Sequence, residues 1–298
     1  MLKHAFLIIA HSDFTLLQIL VSMLDDVRND IYVHIDKKVH KLPILQVKYS
    51  ELHILNNRID VKWGGVSQIK TELLLFSEAA NNGPYMYYHL LSGADLPIKS
   101  NDYLHDFFTK NQGKEFVGFA HGDFADNDVF NKVYYKHYFI NGLRADNLFL
   151  RQTSKLFHNI LLILQKFLRY KIRHDNLEFR KGCNWLSITE AFCSYILKNQ
   201  SITKVLKHSL CGDEIFIQTL LWNSPFKDCI YNPDEEFIGC MREIDWKRGS
   251  PYTWRTEDYD TLMSSTKLFA RKFDYEKYPE IINKIYAEVS LKQSTLYT

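Results

Sequence analysis

The sequence predicts an α/β fold, and three observations carry that prediction. Short β-rich runs alternate with stretches of helical apolar spacing along residues 1–120. Of the 298 residues 46% are hydrophobic and 14% aromatic, ample to bury a large core. No Ser/Gly linker, repeat or low-complexity tract interrupts the chain.

Residues 5–10 (AFLIIA) form a short β-rich run, 14–24 have helical apolar spacing and 31–35 (IYVHI) are strand-like again, a βαβ opening. Such units favour a parallel sheet covered by helices, with ligands at the carboxyl ends of the strands, and Asp36 stands at such an end. Residues 53–55 read as a short strand, 67–80 as a helix capped by Ser67 with Glu72 a turn later, and 85–91 as a buried strand. A helix over 101–110 and a strand over 115–119 complete a first half, 1–120, that resembles a nucleotide-binding α/β domain; residues 121–298 are read as the second half of the same domain. From 147 to 174 the chain changes character. It holds six Lys/Arg and no acid, with Leu156, Phe157, Ile160, Leu161, Leu164, Phe167 and Leu168 on one helical face. This basic amphipathic segment, 148–173, is either a helix packed on the core with a solvated basic face or one that docks on an anionic membrane surface.

Charge is nearly balanced, at +2, so no global field recruits nucleic acid. The apolar run at residues 1–10 is too brief to span a membrane and lacks a small-residue cleavage site, which leaves it as a first core strand and points to a cytoplasmic protein, on the inner face of the membrane if the basic segment docks there. Cys183, Cys193, Cys211, Cys229 and Cys240 show no metal-ligand spacing and their number is odd, so reduced thiols are expected.

Four segments are dense in Trp, Gly, Asp and Pro: 62–67 (KWGGVS), 91–98 (LSGADLPI), 212–216 (GDEIF) and 269–274 (FARKFD). In the first, Gly64 and Gly65 precede a Ser-started helix, which lets backbone approach a ligand or makes a plain tight turn. In the second, a buried strand ends at Asp95, which faces a crevice and grips ribose or sugar hydroxyls, or caps the following turn.

The runs WGG-x-S, LLSGADLPIKSND, GCNWLSIT, GDEIFIQTLL and IDWKRGSPYTW through LFARKFD, in this order, resemble the core-2/I-branching enzyme family, glycosyltransferase family 14, which includes β-1,6-N-acetylglucosaminyltransferases and peptide O-xylosyltransferases. The likeness runs from about residue 5 to 274 and is poor over 122–180. It implies a GT-A-like fold with a Rossmann-like half and a mixed central sheet, an inverting mechanism, a UDP-sugar donor carrying GlcNAc or xylose, a glycan or lipid-linked acceptor, surface polysaccharide synthesis as the setting, and no metal or other cofactor; the activity expected is that of a β-1,6-N-acetylglucosaminyltransferase-like enzyme, with a peptide O-xylosyltransferase-like enzyme as the alternative. By the resemblance Glu214 is the catalytic base; Asp36, Trp63, Gly64, Gly65, Asp95, Arg255 and Lys272 bind the donor, the last two cations holding the diphosphate; and Asn184, Trp185 and Trp246 bind the acceptor. The chemistry agrees, since an inverting transfer needs one carboxylate to take the acceptor's proton and positive charge to stabilise the departing diphosphate.

Where xylosyltransferases tend to carry an Asp before this Trp, the chain has Asn184, a poor proton acceptor, which favours Glu214 as the base; WGG and FARKFD lean towards the xylosyltransferase branch. Asp126-Asn127-Asp128 spells the Asp-x-Asp that holds a divalent ion in metal-dependent glycosyltransferases, but it does not directly follow a strand and is read as a polar loop. The twelve histidines have no ligand spacing. Two other readings compete: a non-catalytic nucleotide- or glycan-binding module, and a glycoside hydrolase, which would need two flanking carboxylates.

Overall fold

A computed structural model describes residues 2–172 and 177–291. In chain order the elements are β1 (His4–Ala10), α1 (Phe14–Leu24), β2 (Asn29–Ile35), β3 (Glu51–Ile54), α2 (Ser67–Asn82), β4 (Tyr87–Ser92), β5 (Asp95–Pro97), α3 (Asn101–Lys110), α4 (Asp123–Val133), α5 (Leu148–Phe167), β6 (Ser187–Thr189), α6 (Glu190–Lys198), α7 (Ile202–Val205), α8 (Phe216–Trp222), α9 (Glu236–Gly239), β7 (Arg242–Ile244), α10 (Tyr259–Ser264), β8 (Phe269–Arg271) and α11 (Pro279–Leu291).

The main sheet runs β3-β2-β1-β4-β6, parallel except for β6, which pairs antiparallel with β4. It is the mixed α/β sheet expected of a GT-A-like fold. A smaller sheet, β5-β8-β7, stands beside it. Because successive side chains on a strand point to opposite faces, β1 feeds two cores. Phe6 and Ile8 pack with α1 and α11 on one face, and Ala5 and Leu7 pack with α2, α6 and α8 on the other. Strands covered on both sides read as unbroken apolar runs.

Local chemistry sets the first elements. Asp13 caps α1 by accepting from the Leu16 amide at 3.1 Å, and Ser100 caps α3 through the Tyr103 amide. Chain order reverses direction between β1 and β4, which opens a crevice beyond their carboxyl ends. There Gly93 donates to the Ile9 carbonyl at 2.9 Å and lies so close to β1 that a Cβ would come within 3.0 Å of the Ala10 methyl.

Three expectations change. Ser67 does not cap α2: it is the helix's first residue, after Val66, and its hydroxyl accepts from the Lys62 amide at 2.8 Å, closing the preceding loop. Residues 115–119 make isolated bridges, Glu115 to Ile230 and Phe116 to Ser187, because the two residues bond to different neighbouring backbones, Glu115 to Cys229 and Tyr231 and Phe116 to Ser187. Asp126 and Asp128 lie on α4 and not in a loop. At 100° per residue their side chains diverge by about 200°, so they do not converge on one ion. The amphipathic segment is helical over Leu148–Phe167, and Arg173 lies outside the described residues. Among the described residues no helix is long and apolar enough to cross a membrane. All five cysteines are free thiols.

Candidate active site

Glu214 ends a 3₁₀ turn, Gly212–Glu214, and its side chain is about a third exposed (35%). Its Oε2 accepts from Lys132 Nζ at 3.0 Å and lies 3.8 Å from Lys181 Nζ. Both lysines also hold Asp128, at 2.9 and 2.5 Å. Burial opposes the charge on Lys132, yet Glu214 and Asp128 raise its pKa and keep it protonated. Asp128 is thus committed to lysines. No hydrogen bond joins the Oε1 of Glu214 to another described residue, and the side chain is partly exposed.

The turn that presents Glu214 rests on two buried carboxyls. Burial, with Glu214 beside it, pushes Asp213 up to about 7; burial, with Asp213 second, pushes Glu72 well above the carboxylate range. Each keeps one oxygen without a hydrogen-bond partner among the described residues, Asp213 Oδ1 and Glu72 Oε2. The other oxygen of Asp213 accepts from Gln68 Nε2 at 2.8 Å and Asn184 Nδ2 at 3.4 Å. Burial thus disfavours a second full charge on Glu72 beside Asp213.

Gln68 also binds the first glycine motif, its Oε1 accepting from the Gly64 amide. Gly64 takes a φ of +70° that only glycine adopts at low cost, and its carbonyl accepts from the Cys211 amide at 2.9 Å. The Gly65 amide donates to the Lys62 carbonyl at 3.1 Å. Both amides are therefore used inside the protein. The glycines bring the loop against Cys211, and neither amide is a free donor at the helix start. Trp63 remains exposed at the loop tip, and the Arg144 guanidinium lies 3.6 Å from its ring centre.

The crevice-facing placement expected of Asp95 is not found. The residue is 1% exposed and faces no crevice: Oδ1 accepts from Arg271 Nη1 at 2.6 Å and Oδ2 from the Ser92 amide at 2.8 Å. Burial pushes its carboxyl up, against the pull of Arg271. Asp95 holds Arg271, whose guanidinium lies 4.5 Å from the Trp185 ring centre. The segment 182–185 is the strut between the two sides of the site. The Gly182 amide donates to the Glu214 carbonyl at 2.9 Å, Asn184 binds Asp213, and Trp185 lies under Arg271. Three residues span at most about 10 Å, the room of one sugar ring with its neighbouring groups.

The remaining expected residues stand after β2 (Asp36), after β8 (Lys272), beside it (Arg255) and after β7 (Trp246). Asp36 is buried, with its oxygens on the Lys38 amide (2.9 Å) and Lys38 Nζ (3.0 Å). His11, just after β1, lies within reach of the charges of Asp36, Lys272 and Arg271. The Trp254 amide donates to the Lys272 carbonyl at 3.0 Å, so Arg255 and Lys272 stand on adjacent backbones; Arg255 is exposed over Tyr252 and Tyr278. Trp246 is 54% exposed on the loop after β7, and its ring stacks on no other aromatic among the described residues. Sequence reasoning missed Arg271, Asp213, Gln68, Lys132 and Lys181. Arg271 and Asp213 are neighbours of Lys272 and Glu214, and that adjacency was the available signal. Among the described residues no group of three or more His, Cys, Asp or Glu is arranged to hold a metal ion.

A family description, Core-2/I-Branching enzyme, matches residues 4–269. Xylosyltransferase 1 of Homo sapiens is 25% identical over 277 residues, covering 85% of this chain and 27% of that protein. Xylosyltransferase oxt of Drosophila melanogaster is 25% identical over 270 residues, 82% of this chain and 28% of the relative. Xylosyltransferase 2 of Rattus norvegicus is 23% identical over 274 residues, 84% and 29% respectively. The chain spans under a third of the length of these relatives.

Proposed function

The chain belongs to the core-2/I-branching enzyme family of glycosyltransferases, and from that membership and the geometry around Glu214 we propose that it transfers a sugar from a UDP-sugar to a hydroxyl, with inversion. The single observation that carries the reading is the Oε1 of Glu214, without a hydrogen bond to another described residue, across the 182–185 strut from Arg271 and its neighbour Lys272. The acceptor oxygen attacks the anomeric carbon from the face opposite UDP and passes its proton to Glu214. The bond from that carbon to the diphosphate oxygen breaks, and UDP leaves with the electron pair. Lys132 holds Oε2 of Glu214 at 3.0 Å and leaves Oε1 to take the proton, while Lys272 and Arg255 stabilise the charge that grows on the diphosphate, in place of a divalent ion.

Between GlcNAc and xylose, the names of the relatives and the WGG and FARKFD runs favour xylose. The acceptor is a glycan or lipid-linked hydroxyl, or a peptide hydroxyl if the likeness extends to the relatives' acceptors. The test is release of UDP from UDP-xylose, UDP-GlcNAc and UDP-glucose, with and without acceptor and in EDTA. Wild type should release UDP fastest from UDP-xylose and tolerate EDTA. Glu214→Gln should lose roughly two to four orders of magnitude in transfer with UDP binding unchanged. Transfer within a few-fold of wild type in that variant, or activity restored to the chelated enzyme by Mn²⁺ alone, would overturn the mechanism.

A further inference from the structure

The polar stripe of α5, not its apolar one, faces the protein. Ser154 and His158 are the buried residues of this helix. Ser154 packs on Gly142, where a Cβ would come within 1.9 Å of its Oγ. His158 Nδ1 donates to the Tyr138 carbonyl at 2.8 Å, and Gln165 exchanges hydrogen bonds with the Lys136 backbone at 2.8 and 2.9 Å. At 100° per residue 154, 158 and 165 share one side. On the opposite side Phe149 (77%), Ile163 (67%) and Phe167 (82%) are open to solvent, with Leu156, Ile160 and Leu168 between and beyond them. A helix packed on a globular core shows the reverse arrangement.

Charge says what covers this face. Residues 147–172 contain no acid, and Lys155, Lys166, Arg169 and Lys171 are exposed along the margin and the C-terminal end of the helix. None of the four is in an ion pair with another described residue. A second copy of the chain would set these cations against each other. The geometry points to an anionic lipid surface: we propose that α5 lies in the plane of the bilayer interface, with its apolar side among the acyl chains and its cations on the headgroups. At 1.5 Å per residue the apolar side is about 30 Å long, enough for a lying helix. The helix also touches the site. Gly142 sits under Ser154, Asn141 lies against Gly65, and Arg144 stacks on Trp63, so a docked α5 is coupled to the Trp63 loop and suits an acceptor carried on lipid. The docking surface stands whether or not the catalytic reading does.

The experiment is co-sedimentation of the purified chain with phosphatidylcholine vesicles, with and without phosphatidylglycerol, at low and high salt. Wild type should pellet with the anionic vesicles at low salt and be released by high salt. Changing Lys155, Lys166, Arg169 and Lys171 to Gln should weaken binding on the order of a hundredfold, at about fivefold per charge less some loss to screening. Phe149→Ser/Ile163→Ser/Phe167→Ser alters exposed residues only. It should abolish pelleting with an unchanged circular dichroism spectrum. Failure to pellet at low salt, or equal pelleting without anionic lipid, would overturn the proposal. So would a wild-type dimer in light scattering that the triple variant converts to monomer, since a second copy would then cover the face.

Discussion

Arg271→Met should destabilise the protein more than any other substitution at the site's surface. The change leaves Asp95, 1% exposed, without the guanidinium 2.6 Å from its Oδ1 and with only the Ser92 amide as partner. Breaking one side of a buried pair costs about 3–5 kcal/mol, whereas replacing both members is close to neutral. That asymmetry fits Asp95, whose carboxyl is pushed up by burial even with Arg271 present, so the intact pair adds little net stability. With about 2.1 cal/mol/K of unfolding entropy per residue, 298 residues give about 0.6 kcal/mol/K, so a loss of about 4 kcal/mol lowers Tm by about 6 °C. Asp95→Asn/Arg271→Met should recover to within about 2 °C of wild type, since Asn carries no charge and can still accept from Ser92. The deficit of Arg271→Met should also shrink as pH falls. Without its cation the folded-state pKa of Asp95 rises further above the unfolded value, so the folded state gains protons first and is favoured by acid. Calorimetric melting of the four proteins in the cycle decides the matter. A single-mutant loss under about 1 kcal/mol, or strict additivity in the double, would refute the idea that Asp95 holds Arg271.

Two further outcomes follow from the same structure. Lys272→Ala should weaken UDP itself by roughly ten- to a hundredfold in titration calorimetry, because the charge acts on a diphosphate present before and after reaction; unchanged UDP affinity would remove Lys272 from the donor site. Stability should fall as pH drops below about 6.5, because burial lowers the pKa of His4, His89 and His105, the last to about 4. Below the unfolded value the unfolded chain binds protons that the fold refuses, which for His105 alone amounts to about 3 kcal/mol by pH 4. A flat Tm between neutrality and about pH 5 would show these rings to be protonated in place.

Motif order marks Glu214, Lys272 and Arg255 in the sequence, and their chain neighbours Asp213 and Arg271 make the buried contacts that the motifs do not spell out. The partners of the Gly64, Gly65 and Asp95 polar groups were not legible. A motif reports that a residue is needed and not which atom its polar group meets: the Gly64 amide meets Gln68, and the Asp95 carboxylate meets Arg271. The same limit applies to Asp126 and Asp128, whose spelling suits a metal clamp and whose helix turns them apart.

By itself the sequence determined the alternation of strands and helices, the bounds of α1 (Phe14–Leu24) and α3 (Asn101–Lys110), and the family. Apolar periodicity and the caps Asp13 and Ser100 act within a few residues, so they can be read along the chain. Tertiary structure alone decided that Arg271 meets Asp95 from 176 residues away, that Gln68 meets Asp213 from 145 away, and that α5 turns its polar stripe inward. Periodicity shows that a helix has an apolar face, but what lies against that face is a contact between distant segments, set by how the whole chain packs.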